Sequence, residues 1–131
     1  MSFSNKEIQV YIVGFDVEKM SPFAKIEKIP SAIGPEQTKV IHTVLDCEGI
    51  DIVDYNDDIA IVVSDRGMVE EGTPIFEVTT PDNTVLRLAG TLLFAKNVYT
   101  DDSVDLGELS SAEIHDLVGN LKITVIGAVK G

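Results

Sequence analysis

The chain has 131 residues, 44% of them hydrophobic, and this length and apolar content favour one globular domain and exclude global disorder. Aromatic residues make up only 6% and tryptophan is absent, so we expect an aliphatic, strand-rich core. Ten basic against 22 acidic side chains give a formal net charge of −12, which repels a phosphate backbone and argues against direct nucleic-acid binding.

Two strands and a helix are predicted first. Residues 7–15 (EIQVYIVGF) alternate apolar side chains with period two and predict a strand, and residues 23–29 (FAKIEKI), which follow Pro22, predict a shorter second one. Residues 35–49 (PEQTKVIHTVLDCEG) repeat apolar side chains four residues apart. They predict an amphipathic helix that begins at a proline and stops at Gly49.

Short apolar runs dominate the middle of the chain. Residues 50–53 (IDIV) predict a short strand, and residues 54–58 (DYNDD) predict an acidic turn. Residues 59–63 (IAIVV) form an unbroken apolar run that is typical of a strand buried on both faces. Residues 65–67 (DRG) predict a second turn.

The strongest hairpin signal joins residues 75–80 (IFEVTT) to residues 84–97 (TVLRLAGTLLFAKN). The connecting residues 81–83 (PDN) are of types that favour turns. Gly90 predicts a bulge or bend within one long, curved strand.

The end of the chain predicts a loop, a helix and a strand. Residues 99–108 (YTDDSVDLGE) are polar and are interpreted as the loop. Ser110 and Glu113 have the spacing of a capping box, and residues 122–129 (KITVIGAV) predict the last strand. The apolar face of the helix consists of Ile114, Leu117, Val118 and Leu121.

Helices do not alternate regularly with strands along this chain. We therefore predict an α+β fold in which a mixed, largely antiparallel sheet of about six to eight strands packs with two helices. Residues 1–131 are expected to form a single domain.

Cysteine content and hydropathy favour a cytoplasmic protein. Cys47 is the single cysteine and cannot form an intramolecular disulfide, and the first residues, MSFSNKEIQV, lack the apolar run of a signal peptide. No apolar stretch reaches the roughly 20 residues that span a bilayer as a helix, so no membrane association is expected.

Two segments partly match calcium-binding loops. Residues 54–65 (DYNDDIAIVVSD) place oxygen-bearing side chains at EF-hand positions 1, 3, 5 and 12, but Ile59 stands where glycine is needed. Residues 101–112 match positions 1, 3 and 5, but Gly107 comes one place late and Ala112 holds position 12. We interpret the first as a turn before a strand and the second as an acidic loop, with weak, irregular calcium binding as its alternative.

The remaining reactive side chains form no recognisable catalytic or metal-binding set. His42, His115 and Cys47 lack zinc-site spacing, and we expect partly exposed histidines and a packed cysteine. Arg87, on a predicted strand, is expected to point outward and pair with a carboxylate. No catalytic, cofactor-binding or metal-binding residue is predicted.

Two acid-rich stretches, residues 46–58 and 101–116, each carry six acids and no Lys or Arg. If folding brings them together, they form one negative surface, which keeps the protein soluble or meets a partner. The candidate interaction residues are Asp46, Glu48, Asp51, Asp54, Asp57, Asp58, Asp101, Asp102, Asp105 and Glu108.

Residues 86–97 (LRLAGTLLFAKN) and 108–117 (ELSSAEIHDL) carry a resemblance to a family. The pattern resembles small proteins of phages, prophages and plasmids of bacteria that are known only as a domain of unknown function. The resemblance covers about residues 50–121 and implies a phage-associated setting, without implying any activity or site residue.

Three hypotheses of function follow. The first is an accessory protein without catalytic activity that acts through protein contacts, including self-association through an exposed strand edge. The second is an acidic decoy that blocks a host DNA-binding or restriction enzyme. The third is a small ligand-binding domain or enzyme, for which a concave pocket with convergent polar groups is required.

Overall fold

The structure is a computed structural model that describes residues 7–30, 35–101 and 104–130. In these ranges the chain forms nine strands, two α-helices and a short 3-10 helix, which confirms the predicted α+β class. The strands are β1 (Glu7–Asp16), β2 (Ser21–Pro30), β3 (Ile50–Asp54), β4 (Ile59–Ser64), β5 (Pro74–Thr79), β6 (Val85–Ala89), β7 (Leu92–Tyr99), β8 (Val104–Gly107) and β9 (Lys122–Ala128). The helices are α1 (Pro35–Leu45), α2 (Ser111–Asn120) and the 3-10 turn Gly67–Val69.

Six strands form the larger sheet, in the order β2-β1-β7-β4-β3, with β8 also paired to β7. The first half of β7 pairs with β1, placing Phe94 opposite Tyr11, and its second half pairs with β8. The other edge of β7 pairs with β4. All of these pairs are antiparallel, and residues 59–63 are buried as their apolar run predicts.

A smaller sheet, in the order β6-β5-β9, covers one face of the larger sheet. Phe76 and Val78 of β5 pack with Ile61 and Phe94 in this core, and α2 contributes Leu117 to it. On the opposite face α1 packs its apolar side, including Ile41 and Leu45, against β1, β4 and β7. The larger sheet is therefore the central layer, between α1 and the smaller sheet.

The sequence predicted one long, curved strand over residues 84–97, and this prediction is wrong. They divide into β6, in the smaller sheet, and β7, in the larger one. Gly90 lies at the break with a φ of 92°, a left-handed conformation that side chains disfavour. The glycine thus lets the chain leave one sheet and enter the other.

Residues 99–108 are also more regular than predicted. Instead of one loop, β7 continues to Tyr99 and β8 forms from Val104 to Gly107. β8 lies close against β7 because Gly107 leaves room for the side chain of Val98, which a Cβ at position 107 would meet.

Helix α1 ends at Leu45, four residues before the predicted stop at Gly49. Asp46 has a φ of 53°, so the chain turns into a left-handed conformation directly after the helix. Neither α1 nor α2, the α-helices of the described ranges, is long and apolar enough to cross a membrane.

Candidate functional site

The acids of residues 46–58 lie at opposite ends of β3. Asp46 and Glu48 precede the strand, near the end of β4 where the Asp65 N–H donates to the Gly49 carbonyl at 3.1 Å. Asp51 lies on the strand, Asp54 is its last residue, and Asp57 and Asp58 follow it. Five extended residues cover about 17 Å, so the two groups of acids are separated along the sheet.

The candidate acids after residue 100 lie on β8 and its flanks, whereas Glu113 and Asp116 lie on α2. Asp101 is exposed, whereas Asp102 lies outside the described residues. Asp105 is half-buried on β8, opposite Val98. Glu108 Oε1 accepts the Gln9 N–H at 3.0 Å and so joins the end of β8 to β1.

The acidic turn 54–58 contacts β7. The Asn97 side chain is 7% exposed and its Nδ2 donates to Asp54 Oδ1 at 3.3 Å. The Asn97 backbone N–H donates to the Asp58 carbonyl at 2.8 Å, and the Tyr99 hydroxyl donates to the Asp57 carbonyl. Asp54, Asp57 and Asp58 of the first acidic stretch therefore lie beside β7, the strand that precedes the second acidic stretch. None of these contacts involves Asp46, Glu48 or Asp51.

The predicted turn and strand within residues 54–65 are confirmed. Asn56 Oδ1 closes the turn by accepting the backbone N–H groups of Asp58 and Ile59, both at 2.8 Å. Asp65 lies beyond the far end of β4, so it cannot share an ion with Asp54. Within residues 7–30, 35–101 and 104–130, no three His, Cys, Asp or Glu side chains are grouped to hold a metal ion.

A cleft of about 560 Å³ opens next to the acidic turn. Its three walls are the turn between β3 and β4, the turn between β5 and β6, and the side of α2 that carries Asp116, Leu117 and Asn120. Five charged or aromatic residues line it: Tyr55, Asp58, Glu113, Asp116 and Lys122. We call this feature the acidic cleft.

Helix α2 is fixed at its first turn. Ser110 Oγ accepts the Glu113 N–H at 3.1 Å, and Glu113 Oε1 accepts the Ser110 N–H at 2.9 Å, which confirms the predicted capping box. The other carboxylate oxygen of Glu113 lies 2.7 Å from Lys96 Nζ. The bond from Lys96 and the Ser110 N–H lower the pKa of Glu113, and the Glu113 carboxylate raises the pKa of Lys96.

Tyr55 is the aromatic wall of the acidic cleft. It is 5% exposed, and its ring packs edge-on against Phe94 with the centroids 6.0 Å apart. Burial raises the pKa of the Tyr55 phenol because the phenolate would be poorly solvated there. The phenol therefore stays protonated at neutral pH, able both to donate and to accept a hydrogen bond.

The second surface of interest is the edge strand β2. It pairs with β1 over all ten residues and lies at the end of the larger sheet. Several of its side chains are exposed, including Phe23 at 38% and Ile26 at 53%. Lys25 Nζ and Glu27 Oε1 are 3.1 Å apart on one face of the strand. We call this feature the β2 edge.

The remaining predicted side chains lie as expected. Cys47 packs beside the core between α1 and the larger sheet, and burial raises the pKa of its thiol. His42 is half-buried and His115 is exposed. Arg87 points outward and its Nε lies 3.4 Å from Glu77 Oε2 on the neighbouring strand.

Sequence reasoning missed the acidic cleft. Glu113 and Asp116 belong to the second acidic stretch but were absent from the candidate residues, and Tyr55 was considered only as part of a turn. The one signal available was the capping box, which places Asp116 one turn after Glu113 on the same helix face. Nothing in the sequence indicates that residues 79–83 form the facing wall.

Comparison of the chain with protein-family models, with curated proteins and with solved structures gives no match.

Proposed function

We propose that this chain is a phage-associated accessory protein without catalytic activity that acts through protein contacts, the first of them with a second copy of itself. The phage setting is supported by the resemblance of residues 86–97 and 108–117 to the phage and plasmid family. The protein contact is supported by one observation, which is that the β2 edge is exposed and self-complementary.

The β2 edge has the features of a strand that accepts another strand. No strand of the described residues lies on its outer side, so alternate backbone N–H and C=O groups have no partner in the sheet there. The exposed apolar side chains of Phe23 and Ile26 would be covered by an added strand. Pro22 and Pro30 limit the pairing segment to residues 23–29, because proline lacks the N–H that a ladder requires.

Backbone geometry restricts how two such edges can pair. In β2 alternate residues direct their backbone groups toward β1, so the outward groups belong to every second residue. Directly opposed residues in an antiparallel β2–β2 ladder must therefore both be odd or both be even. The two-fold axis of the dimer then passes between one residue and the same residue of the second copy. Near the middle of the pairing segment this residue is Lys25, Ile26 or Glu27.

Only the axis at Ile26 gives complementary charges. That register places Lys25 opposite Glu27 of the second copy, twice in the dimer, and Phe23 opposite Ile29 of the second copy. An axis at Lys25 would oppose two lysines, and an axis at Glu27 would oppose two glutamates. The same side-chain pattern thus favours one register and disfavours its neighbours.

The charge distribution also favours contact at this edge. The whole chain carries a formal net charge of −12, so most approaches of two copies are repulsive. β2 contains Lys25 and Lys28 against Glu27 alone, a local charge of +1. Two copies can therefore meet along β2 with less electrostatic repulsion than elsewhere.

A charge-swap series tests this proposal. We expect the chain to have the mass of two copies in sedimentation equilibrium at high micromolar concentration. Lys25→Glu and Glu27→Lys should each weaken the dimer on the order of tenfold, because each creates two like-charge pairs across the ladder. The double variant Lys25→Glu/Glu27→Lys restores opposite charges and should restore the dimer.

Lys28→Glu is the matched control, because it makes the same charge change on the opposite face of β2, where residue 28 faces Ala24 of the second copy. It should weaken the dimer less than Lys25→Glu does. A mass of one chain at millimolar concentration would contradict the dimer, and failure of the double variant to recover would contradict this register.

The phage setting has its own test, which is whether the gene lies among genes of phage structure or replication. The alternative of an acidic decoy stays a proposal with less support. A decoy needs one continuous negative face, whereas the candidate acids divide between the two ends of β3. A restriction endonuclease that is unaffected by excess protein at low salt would exclude that alternative.

A further inference from the structure

The acidic cleft is lined by a largely buried tyrosine, Tyr55, whose hydroxyl has no hydrogen-bond partner within the described residues. Within the described residues, no hydrogen bond satisfies the Tyr55 hydroxyl, although the residue is only 5% exposed. No side-chain nitrogen or oxygen of these residues is both fully buried and unpartnered. The Tyr55 hydroxyl is therefore the part of the side chain that solvent reaches. Because Tyr55 lines the acidic cleft, the hydroxyl is accessible from the cleft.

Two carboxylates of the acidic cleft, Asp58 and Asp116, form no ion pair, although the Asp58 carboxylate is close enough to Lys96 to contribute to raising the pKa of that lysine. Glu113 uses both oxygens, one for Ser110 and one for Lys96. Neither Asp58 nor Asp116 takes part in an ion pair with another described residue, and both of these side chains are exposed. Lys122 is the one basic residue on the wall, so the cleft retains a negative charge.

Apolar surface adjoins these polar groups. Ile59 is 8% exposed and Leu117 is 3% exposed, and both line the acidic cleft beside the Tyr55 ring. A ligand that fits must place an apolar body against these side chains and present donors to carboxylates and a phenol. A bare metal ion has no apolar body, and no group of three potential metal ligands exists in the described residues.

We infer that the acidic cleft binds an organic cation, namely a guanidinium or alkylammonium group carried on a short apolar stem. The cation lies between Asp58 and Asp116 and donates to the Tyr55 hydroxyl, and the stem packs against Leu117 and Ile59. Charge-assisted hydrogen bonds of this type are stronger than neutral ones. A volume of about 560 Å³ is within the usual range for small-ligand sites.

The test uses the whole chain and simple probes. Butylguanidinium is titrated while the backbone amide resonances of residues 55–59 and 113–120 are followed by NMR, with neutral butylurea as the matched probe. Butylguanidinium should give saturable shifts at millimolar concentration that are confined to the cleft, and butylurea should give none. Equal shifts with both probes, or shifts without saturation, would overturn the inference.

Substitutions separate a specific site from general attraction by a negative protein. Asp58→Asn and Asp116→Asn should each weaken butylguanidinium binding by about threefold. Tyr55→Phe keeps the ring and should weaken binding by about threefold through loss of the hydroxyl. Asp51→Asn, at an exposed acid near the start of β3 that does not line the cleft, is the control and should leave binding unchanged. An equal effect of Asp51→Asn and Asp116→Asn would contradict the site.

An amide spectrum without ligand checks that each variant is folded, and Asp116→Asn provides the test if Tyr55→Phe disturbs the core.

A final comparison identifies the source of the cation. A capped Gly-Arg-Gly peptide that binds more tightly than butylguanidinium assigns the site to an arginine of a protein partner, and weaker binding assigns it to a free small cation. No residue of β2 lines the cleft, so these outcomes are independent of the proposed dimer.

Discussion

Lys96 Nζ lies 2.7 Å from Glu113 Oε2, so an ion pair joins the middle of β7 to the first turn of α2. Because Glu113 is also the last member of the capping box, one carboxylate both begins the helix and connects it to the sheet. This pair sets the position of the wall of the acidic cleft that carries Asp116 and Leu117.

The Lys96–Glu113 pair should make stability depend on pH at the acidic end. The pKa of Glu113 is lowered from its ordinary 4.5, so its contribution is complete above that value and is lost as pH falls through the lower pKa of the folded state. Urea unfolding of the wild type and of Glu113→Gln should differ by about 0.5 kcal/mol at pH 7, since the pair is partly exposed. The difference should shrink at pH 3, and a difference that grows there would contradict this role. Glu77→Gln, at the looser pair with Arg87, is the control.

The capping box predicts a larger effect. Ser110→Ala removes the oxygen that accepts the Glu113 N–H at 3.1 Å and should lower the free energy of unfolding by about 1 kcal/mol. Ser110→Thr retains an acceptor and should cost less. Ser111→Ala, one residue later and exposed, is the control and should change the free energy by no more than about 0.5 kcal/mol. Equal losses for the two alanine variants in urea titrations would contradict the cap.

Two glycine substitutions should have opposite signs. Gly90→Ala places a side chain at a φ of 92° and should destabilise by about 1–2 kcal/mol, although the nearest atom to the new Cβ would be at 3.7 Å. Gly119→Ala lies in helix α2 with open space around it and should stabilise by about 0.5 kcal/mol or more. Thermal unfolding measures both changes, and an increase in Tm for Gly90→Ala would contradict the left-handed conformation.

Cys47 should react slowly with iodoacetamide. Burial raises the pKa of its thiol above the ordinary 9.0, so less thiolate is present at neutral pH than in an unfolded chain. Cys47 is the only cysteine, so the total thiol signal reports this residue alone. We expect the rate to increase when the chain is unfolded in urea, and its pH midpoint to fall on unfolding. A lower midpoint in the folded chain would indicate an activated thiol.

The sequence predicted correctly those strands and helices that are specified by a local pattern of residues. The alternation in residues 7–15, the unbroken apolar run of residues 59–63 and the Ser110–Glu113 spacing each specify a strand or a helix with little outside information. They correspond to β1, β4 and α2 in the structure.

The features that were missed depend on long-range placement. β8 forms because β7 offers an edge beside it, which the polar residues 99–108 do not indicate. Gly90 was predicted to be a bulge or bend within one long strand, and this was wrong because which strands pair with residues 85–89 and 92–99 decides that the chain passes from one sheet to the other there. The acidic cleft combines residues near positions 55, 80 and 116, which period and composition cannot bring together.

The position of β7 between β1 and β4 also has a consequence for how the chain folds. The β1–β2 and β3–β4 hairpins pair strands that are close in sequence and can form early. The two hairpins are joined into one sheet only when β7 pairs with β1 on one side and with β4 on the other. Loop closure over this distance is slow relative to hairpin formation. Until β7 arrives, β1 and β4 both present unpaired apolar edges, so a nascent chain that stalls near residue 91 should aggregate and require a chaperone.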